Sequence, residues 1–409
     1  MVIGNIYGNG TTTATAGDNT IVHYYDKAGV KAANAISVYA QFADRRSMPL
    51  NMGKTYKVSK WLHIFDRATD HADFAAKGYL QSRSVAAITS GLPTLAEGAG
   101  VVNKVTISKV TIETAFARYG EMLDYTDEVT MFSEDIIQVH YREELGLLAN
   151  RRAEDLIQLD MLATGTIQYV GTATALAEVG QDTTTIASDD DDSRVSYDMI
   201  RNMTKRLVRN RAQKNTSMVV GSTKIDTRTI NKAYYCIIGS EIKFDLESLV
   251  RGTVAANGTT EYVYVPAYKY GAASNLAEGE VGACNDIRFI ESESALVYEA
   301  AGAVVPQSYV GELGAGGGTD NTSATAGNRD NFDVFPMLFP TKGSFATVGL
   351  KGNGKIKFHA QSPAKIELDN PYGTNGFFSY NMWYAGIILR EERLLKGLVC
   401  ASGAVREDG

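Results

Sequence analysis

Several stretches of the chain carry residue types whose spacing could do chemistry. Residues 349–356 read GLKGNGKI and fit the GxxxxGK portion of a phosphate-cradling loop. The position where Ser or Thr would hold Mg²⁺ is Ile356, however. The continuation KIKFHA alternates like a strand, where phosphate binding needs a helix N-terminus. Lys54 and Thr55 sit in NMGKT, but Met48 occupies the place of that motif's first glycine. Neither segment is expected to bind nucleotide. Asp66, Asp70, His71 and Asp73 (DRATDHAD) gather oxygen donors of the kind hard cations take. They lack EF-hand spacing, and an exposed loop of solvated charges is the favoured reading. The aspartates at 189–192 could attract Ca²⁺; as a solvated loop they would end with Asp192 or Ser193 capping the next helix.

Nucleophile and acid–base patterns are no better developed. His23, His63, His71, His140 and His359 are scattered, with no HExxH, and no GxSxG elbow occurs. Tyr119, Glu121, Asp124, Tyr125, Asp127 and Glu128 place carboxylates close together, an arrangement that can exchange protons. No pocket signal surrounds them, so a capping and interface region is expected instead. Cys236, Cys284 and Cys400 are odd in number and far apart, without CxxC, which fits a reducing compartment. The expectation is no catalytic residue, no cofactor or cofactor-binding residue and no metal ligand, hence not an enzyme.

The elements that would hold these residues say more. TIETAFARYGEML alternates as a strand and leads through DYTDEVTMFS into a charge-rich helix expected over 134–164. Its 31 residues would span about 45 Å at 1.5 Å each, against a mean helix of about 11–12 residues. Ser133 can cap it, with Glu134 and Asp135 in the first turn. Ile137, Tyr141, Leu145, Leu148, Leu156, Leu159 and Ala163 mark one apolar face, interrupted by Arg152. Ile136, Leu147, Ile157 and Met161 point elsewhere, so a second side is expected to meet protein. Arg151 has Glu154 and Asp155 at i+3 and i+4. Gly146, mid-helix, suggests the close approach of another backbone.

Before the rod, KTYKVSKWLHI alternates with period two, and its return partner is the segment 104–120. The long stretch between them is expected to be an extended arm and not a tight turn. Residues 1–20 are small and polar, and 21–41 read as helical. After the rod come a short strand TIQYVG, a helix over about 195–213, and alternating strands and helices to about 345. Residues 311–331 are a low-complexity loop. The C-terminal strands should return to the rod. No internal repeat and no regular βαβ alternation occur, so the class is α+β.

Bulk properties agree with a large soluble protein. The 409 residues are 44% hydrophobic and 21% charged. The 22 tyrosines suit large interfaces. The net charge is −7, but residues 1–61 carry seven basic residues against Asp18, Asp26 and Asp44, a balance of +4. That arm is expected either to be solvated or to face a polyanion or an acidic neighbour. No signal peptide and no run of 18 apolar residues is found, so neither secretion by a standard signal nor a membrane partner is expected.

Several segments together resemble a tailed-phage major capsid family. ITSGLPTLAEGAG (88–100) is similar to its "PL.EG" segment, and VTIETAFARYGEMLDYTDE (110–128) to its "YG…sDe" segment. LDMLATGT (159–166) is similar to the family's "ARDALLAGT". TKIDTRTINKAYYCIIGSEIKFDLESL (223–249) resembles the "dTr.v..ay…iiHpdv..dL" block, although Gly239 and Ser240 replace the usual His-Pro. GEVGACNDIRFIESESALVY (279–298) and NMWYAGIIL (381–389) complete a collinear set over about 90–400. The resemblance is to coat proteins of N4-like podoviruses with the Hong Kong-97-type capsid fold. It implies an N-terminal arm (1–54), an extended two-stranded loop (55–110), a peripheral domain (111–199 and 346–409) on a spine helix (134–164), and an axial domain (200–345). It further implies self-assembly into hexamers and pentamers of an icosahedral shell around double-stranded DNA. A separate scaffolding protein is expected, with portal and decoration proteins as further partners, in a virion capsid assembled in the host bacterial cytoplasm. No Lys–Asn crosslink pair is identified. An encapsulin-like compartment shell enclosing an enzyme cargo is the alternative.

Overall fold

The computed structural model describes residues 38–61, 85–90, 92–95, 97–98, 100, 103–104, 107–132, 137–181, 193–219, 227–251, 261–270, 276–305, 313, 331–351, 356–366 and 370–402. These fall in one compact unit, Ala35–Gly409. A 3₁₀ turn, Tyr39–Phe42, precedes β1 (Asp44–Met48), β2 (Thr55–Trp61), α1 (Val85–Ser90), β3 (Lys109–Ala115) and β4 (Ala117–Thr126). Next come α2 (Asp127–Phe132), the rod α3 (Ile137–Leu162), β5 (Ile167–Tyr169), α4 (Tyr197–Arg209), β6 (Asn215–Val219), β7 (Thr227–Ile238) and α5 (Ser240–Glu247). The rest, apart from 3₁₀ turns at Leu176–Glu178, Ala267–Lys269 and Glu391–Arg393, are strands: β8 (Val265–Pro266), β9 (Glu280–Cys284), β10 (Ile287–Glu291), β11 (Phe335–Pro340), β12 (Phe345–Leu350), β13 (Lys357–Gln361), β14 (Asn375–Tyr384), β15 (Gly386–Ile388) and β16 (Leu394–Val399). The mixture is α+β, as the sequence indicates.

The strands form four sheets among the described residues. The largest has eight strands in the order β5-β16-β11-β7-β10-β9-β8, with β6 also paired to β7. Its central strands are apolar runs, broken only by Lys396: FPMLFP in β11 and LLKGLV in β16 are buried at every position, as expected for strands covered on both faces. Pro336 and Pro340 cannot donate to a ladder, and β11 meets β7 at the single pair Leu338↔Ile237. Strands β5 and β16 come from segments outside 200–345, so the boundaries expected at 199/200 and 345/346 cut through this sheet.

The other sheets are small. β1 runs parallel to β12, which pairs antiparallel with β15. The last part of the expected arm is therefore a sheet strand. β2 and β3 form an isolated antiparallel ribbon with Val58 opposite Ile112, the pairing that the alternating pattern predicts. β3 ends at Ala115, one residue before buried Phe116. The chain then enters β4, which belongs to a different sheet, β13-β14-β4. What reads as one strand, TIETAFARYGEML, is thus two strands bent at Phe116.

The rod spans 26 residues, about 39 Å; the expected start at 134–136 with its Ser133 cap lies outside the described residues. Its two halves bury opposite sides. Leu145 and Ala149 pack with Tyr125, Phe378, Tyr380 and Met382 of the β13-β14-β4 sheet. Ile157 and Met161 pack instead with Phe42, Tyr235, Ile237 and Leu338. At 100° per residue, Met161 lies about 160° around the axis from Leu145. The change of side explains why Leu159, expected on the buried face, is 54% exposed. The second apolar side expected at Ile157 and Met161 is real.

Gly146 does not serve the close approach expected of it. No described atom beyond its own stretch of helix lies within 4 Å of the Cβ it lacks. Instead it borders a cavity of about 520 Å³ together with Arg142, Leu145, Phe358, His359, Ala360 and Phe378.

The expected helix at 21–41 is described only at its end, where Tyr39–Phe42 is a 3₁₀ turn and the Tyr39 N–H donates to Glu154 of the rod at 2.9 Å. The helix expected over 195–213 is shorter, Tyr197–Arg209. Its cap is Ser196, neither Asp192 nor Ser193: the extended backbone at Ser196 lets its hydroxyl accept from the Met199 N–H at 3.2 Å. The loop expected at 311–331 lies outside the described residues apart from Leu313 and Asn331.

Candidate functional site

The phosphate-loop resemblance ends in a strand. Residues 352–355 lie outside the described residues, and β13 follows at Lys357, paired antiparallel to β14. Thr55 likewise opens β2. Asp66, Asp70, His71, Asp73 and the aspartates at 189–192 lie outside the described residues. Among the described residues, no three His, Cys, Asp or Glu side chains are grouped to hold a metal ion.

The polar patch at 119–128 holds local structure together. The Glu121 carboxylate accepts from the Arg152 guanidinium at 3.2 Å and from the Tyr380 hydroxyl at 3.1 Å. Burial and this carboxylate push the Tyr380 hydroxyl up to about 12. Tyr125 stacks on Phe378 with centroids 5.3 Å apart. The Asp127 N–H donates to the Thr374 carbonyl, and the Asp127 carboxylate accepts from the Glu128 N–H, fixing the start of α2. The patch orders a sheet-to-helix junction, and Tyr119 and Glu121, around which the sequence shows no pocket, also line the concavity described next.

What the fold does expose is apolar surface. One face of β13-β14-β4 packs on the rod through Phe378, Tyr380 and Met382. The side chains alternate, so the other face turns outward. It is a shallow concavity of about 750 Å³ whose lining includes Arg118, Gly120, Met122, His359, Phe377, Ser379 and Asn381. Met122 is 66% exposed there. The Arg118 guanidinium sits 5.8 Å from the Trp383 ring centroid, and Asn381 and His359 share a 2.9 Å hydrogen bond. Gly120 is needed in this sheet because a Cβ would meet the Tyr380 carbonyl at 2.5 Å.

The β2-β3 ribbon is similarly two-sided. Tyr56, Val58 and Ile112 pack toward Met48, Phe116, Val348 and Ile387. The opposite side carries the Lys57–Glu113 ion pair at 2.8 Å and Trp61, with Lys109 5.7 Å from its ring. Trp61 is 64% exposed, and Phe132 at the end of α2 is 85% exposed. A two-stranded ribbon alone is marginal in water, and the packing on Met48, Phe116, Val348 and Ile387 is what supports it. Trp, Phe and Met side chains are enriched at protein–protein interfaces.

A major capsid protein of Pseudomonas phage KPP21 is 30% identical to the chain over 401 residues, covering 94% of this chain and 93% of that protein. The chain belongs to the phage major capsid proteins. No protein-family model matches it. The solved capsid of Ralstonia phage GP4 covers 96% of this capsid protein and 99% of its own chain, with a TM-score of 0.54 at 12% identity. The head structure of Helicobacter pylori bacteriophage KHP40 covers 95% and 97%, with a TM-score of 0.50 at 8% identity. At such identities the likeness shows the fold alone, the Hong Kong-97-type fold expected from the motifs.

The buried titratable groups of the capsid protein brace its elements. Lys396, in the centre of β16, donates from Nζ to the carbonyl of Leu162, the last residue of the rod, at 2.8 Å. It lies 5.7 Å from the Tyr298 ring centroid, and burial holds its amine below the usual lysine range. The Gly165 N–H donates to the Glu391 carboxylate, and Thr164 and Thr166 donate to the carbonyls of Leu394 and Glu391. The rod's C-terminus is thereby fastened to the segment entering β16. Asp160 accepts from the Tyr384 hydroxyl at 2.7 Å; burial raises its carboxyl, and this hydrogen bond partly offsets the rise. Glu280, with no exposed side-chain surface, pairs with Arg288 at 2.6 Å, and Arg288 stacks 5.0 Å from the Tyr270 ring. All three cysteines are buried free thiols, and burial pushes Cys284 up to about 11. Sequence reasoning missed Lys396; a lone lysine inside LLKGLV was the available signal.

Proposed function

We propose that the chain is the major shell subunit of a tailed bacteriophage, associating as hexamers and pentamers into an icosahedral capsid around a double-stranded DNA genome. The observation that carries this reading is the 30% identity to a phage major capsid protein across 94% of the chain. The exposed Met122, Trp61 and Phe132 support it, because subunits that tile a shell need self-complementary apolar contacts. The collinear motifs support kinship with N4-like podovirus coat proteins.

The part assignments are an arm at 1–54, an extended two-stranded loop at 55–110, a peripheral domain at 111–199 and 346–409 built on the spine helix, and an axial domain at 200–345. The β2-β3 pairing supports a two-stranded loop, with β3 running on to Ala115 past the expected end at 110, and the packing of the rod on β14 supports the peripheral domain. The axial part shares its sheet with the rest through β5 and β16. The role is structural, in the virion capsid, with assembly in the host bacterial cytoplasm and with scaffolding, portal and decoration proteins as partners. Negative-stain microscopy of the purified chain tests this: closed shells, tubes or sheets are expected, and a lasting monomer overturns it. Particles from infected cells are expected to hold nuclease-sensitive nucleic acid once opened. Particles filled with an enzyme would favour an encapsulin-like compartment.

A further inference from the structure

The most concentrated positive charge of this acidic chain lies on and just after α4. Between residues 194 and 214 there are seven basic residues and one acid, Asp198, a net of +6 in a protein of net −7. Counting the four aspartates at 189–192 as well leaves +2. The orientation of the helix is fixed by its other side, since Met199, Ile200, Met203 and Leu207 are buried in the main core. Arg201, Lys205 and Arg209 are exposed and recur every fourth residue. They form one stripe rising about 6 Å per step.

Cations near a helix C-terminus often serve the helix dipole. Here Arg206 turns inward, its guanidinium donating to the Ile167 carbonyl at 2.5 Å. Arg201 and Lys205 lie before the last turn. Exposed Arg211 follows just past the helix end, held at φ 53°, where the Arg211 N–H bonds the Val208 carbonyl and the Ala212 N–H the Leu207 carbonyl. That left-handed position favours glycine, yet an arginine occupies it.

We propose that the outer face of α4 is a sequence-independent contact for the phosphate backbone of duplex nucleic acid. This rests on the capsid reading, which supplies such a polyanion, and it assigns the contact to α4 in place of the N-terminal arm. Regularly spaced cations complement a line of phosphates and carry no means of reading bases; the helix's one carboxylate, Asp198, pairs with Arg201 at 3.2 Å and would have to yield it to a phosphate.

The test is fluorescence anisotropy of the full chain with a random-sequence DNA duplex across a salt series. The plot of log affinity against log salt is expected to flatten by about 2.7 in the Arg201→Gln/Lys205→Gln/Arg209→Gln variant, about 0.9 for each cation. An unchanged slope overturns the proposal. So does wild-type binding of poly-glutamate tighter than the duplex through the same residues, which would give the face to an acidic protein. If the triple variant fails to fold, Lys205→Gln alone is expected to flatten the slope by about 0.9, and no change overturns the proposal. Arg211→Gly is expected to flatten it by about 0.9 while keeping or raising the melting temperature; melting lowered with the slope intact would remove Arg211 from the surface and count against it. A chain that forms shells but ignores these substitutions fails this inference alone, whereas a chain that never forms shells fails the capsid reading.

Discussion

The eight-stranded sheet and the three-stranded sheet β13-β14-β4 use strands of different grammar. β11 and β16 are buried at every position and, apart from Lys396, apolar along their length. β14 alternates, with Phe378, Tyr380 and Met382 buried between less buried neighbours. The first sheet is covered on both faces and carries the large core that includes Phe289, Phe339 and Leu395. The second is covered on one face by the rod and offers the other. The contrast sets a sheet buried on both faces beside one that leaves a face open to solvent.

Substitutions in the two sheets should therefore have opposite signatures. The largest loss is expected from Phe289→Ala, fully buried in β10, at about 3–5 kcal/mol of subunit stability by urea denaturation. Glu280→Ala, which strands the mostly buried Arg288, should cost about 3–5 kcal/mol as well. A loss below about 1 kcal/mol for both would dissolve the contrast.

Gly120→Ala sits at the next level. Its Cβ would meet the Tyr380 carbonyl, so overpacking of about 1–3 kcal/mol is expected, confined to the small sheet. Hydrogen exchange should show protection lost in β4 and β14 and kept in β7 and β10. Loss spread evenly would mean that the two sheets unfold as one.

Smaller still is a pH effect. Burial raises the Asp160 carboxyl above its ordinary 3.8. The folded chain therefore holds that proton at pH values where the unfolded chain has released it. The associated stability is present at low pH and is lost as pH rises from 3.8 through the folded value. Asp160→Asn should keep an acceptor for Tyr384 and flatten this part of the stability–pH curve; an unchanged curve refutes it. Met122→Ser and Trp61→Ser should alter subunit stability by less than about 0.5 kcal/mol, while particle yield in sedimentation falls. Normal particles from both would mean that the exposed faces are not association surfaces.

Much of this was legible because it rests on local periodicity. The alternation in TYKVSKW and KVTIETA gave the β2-β3 ribbon, and the length of the rod stood out from charge and apolar spacing alone. The bend at Phe116 was hidden because an alternating pattern continues unbroken across two strands that pair with different partners. The rod's buried side was misassigned at Leu159 because one stripe was extended through a helix whose two halves pack on opposite neighbours. The space beside Gly146 depends on where β13 lies, and no local rule contains that. Lys396 was passed over because the strand pattern around it is apolar, and its partner, Leu162, is 234 residues away. The basic face of α4 was readable as charge, but its direction became clear only when Met199 and Met203 were placed inside.

The opposite-sided packing of the rod also limits how the subunit can move. A cylinder held along one side can roll like a log. One gripped on one flank near Leu145 and on the other near Met161 cannot turn without prising open one of the two grips. Rotation is thus removed from its freedoms, and what remains is flexing along its length. Gly146, where the intrinsic helix preference is weakest, lies inside the first grip beside Leu145 and Ala149, so bending is left to the stretch between Ala149 and Ile157. The rod behaves less like an axle than like a leaf spring clamped at two points.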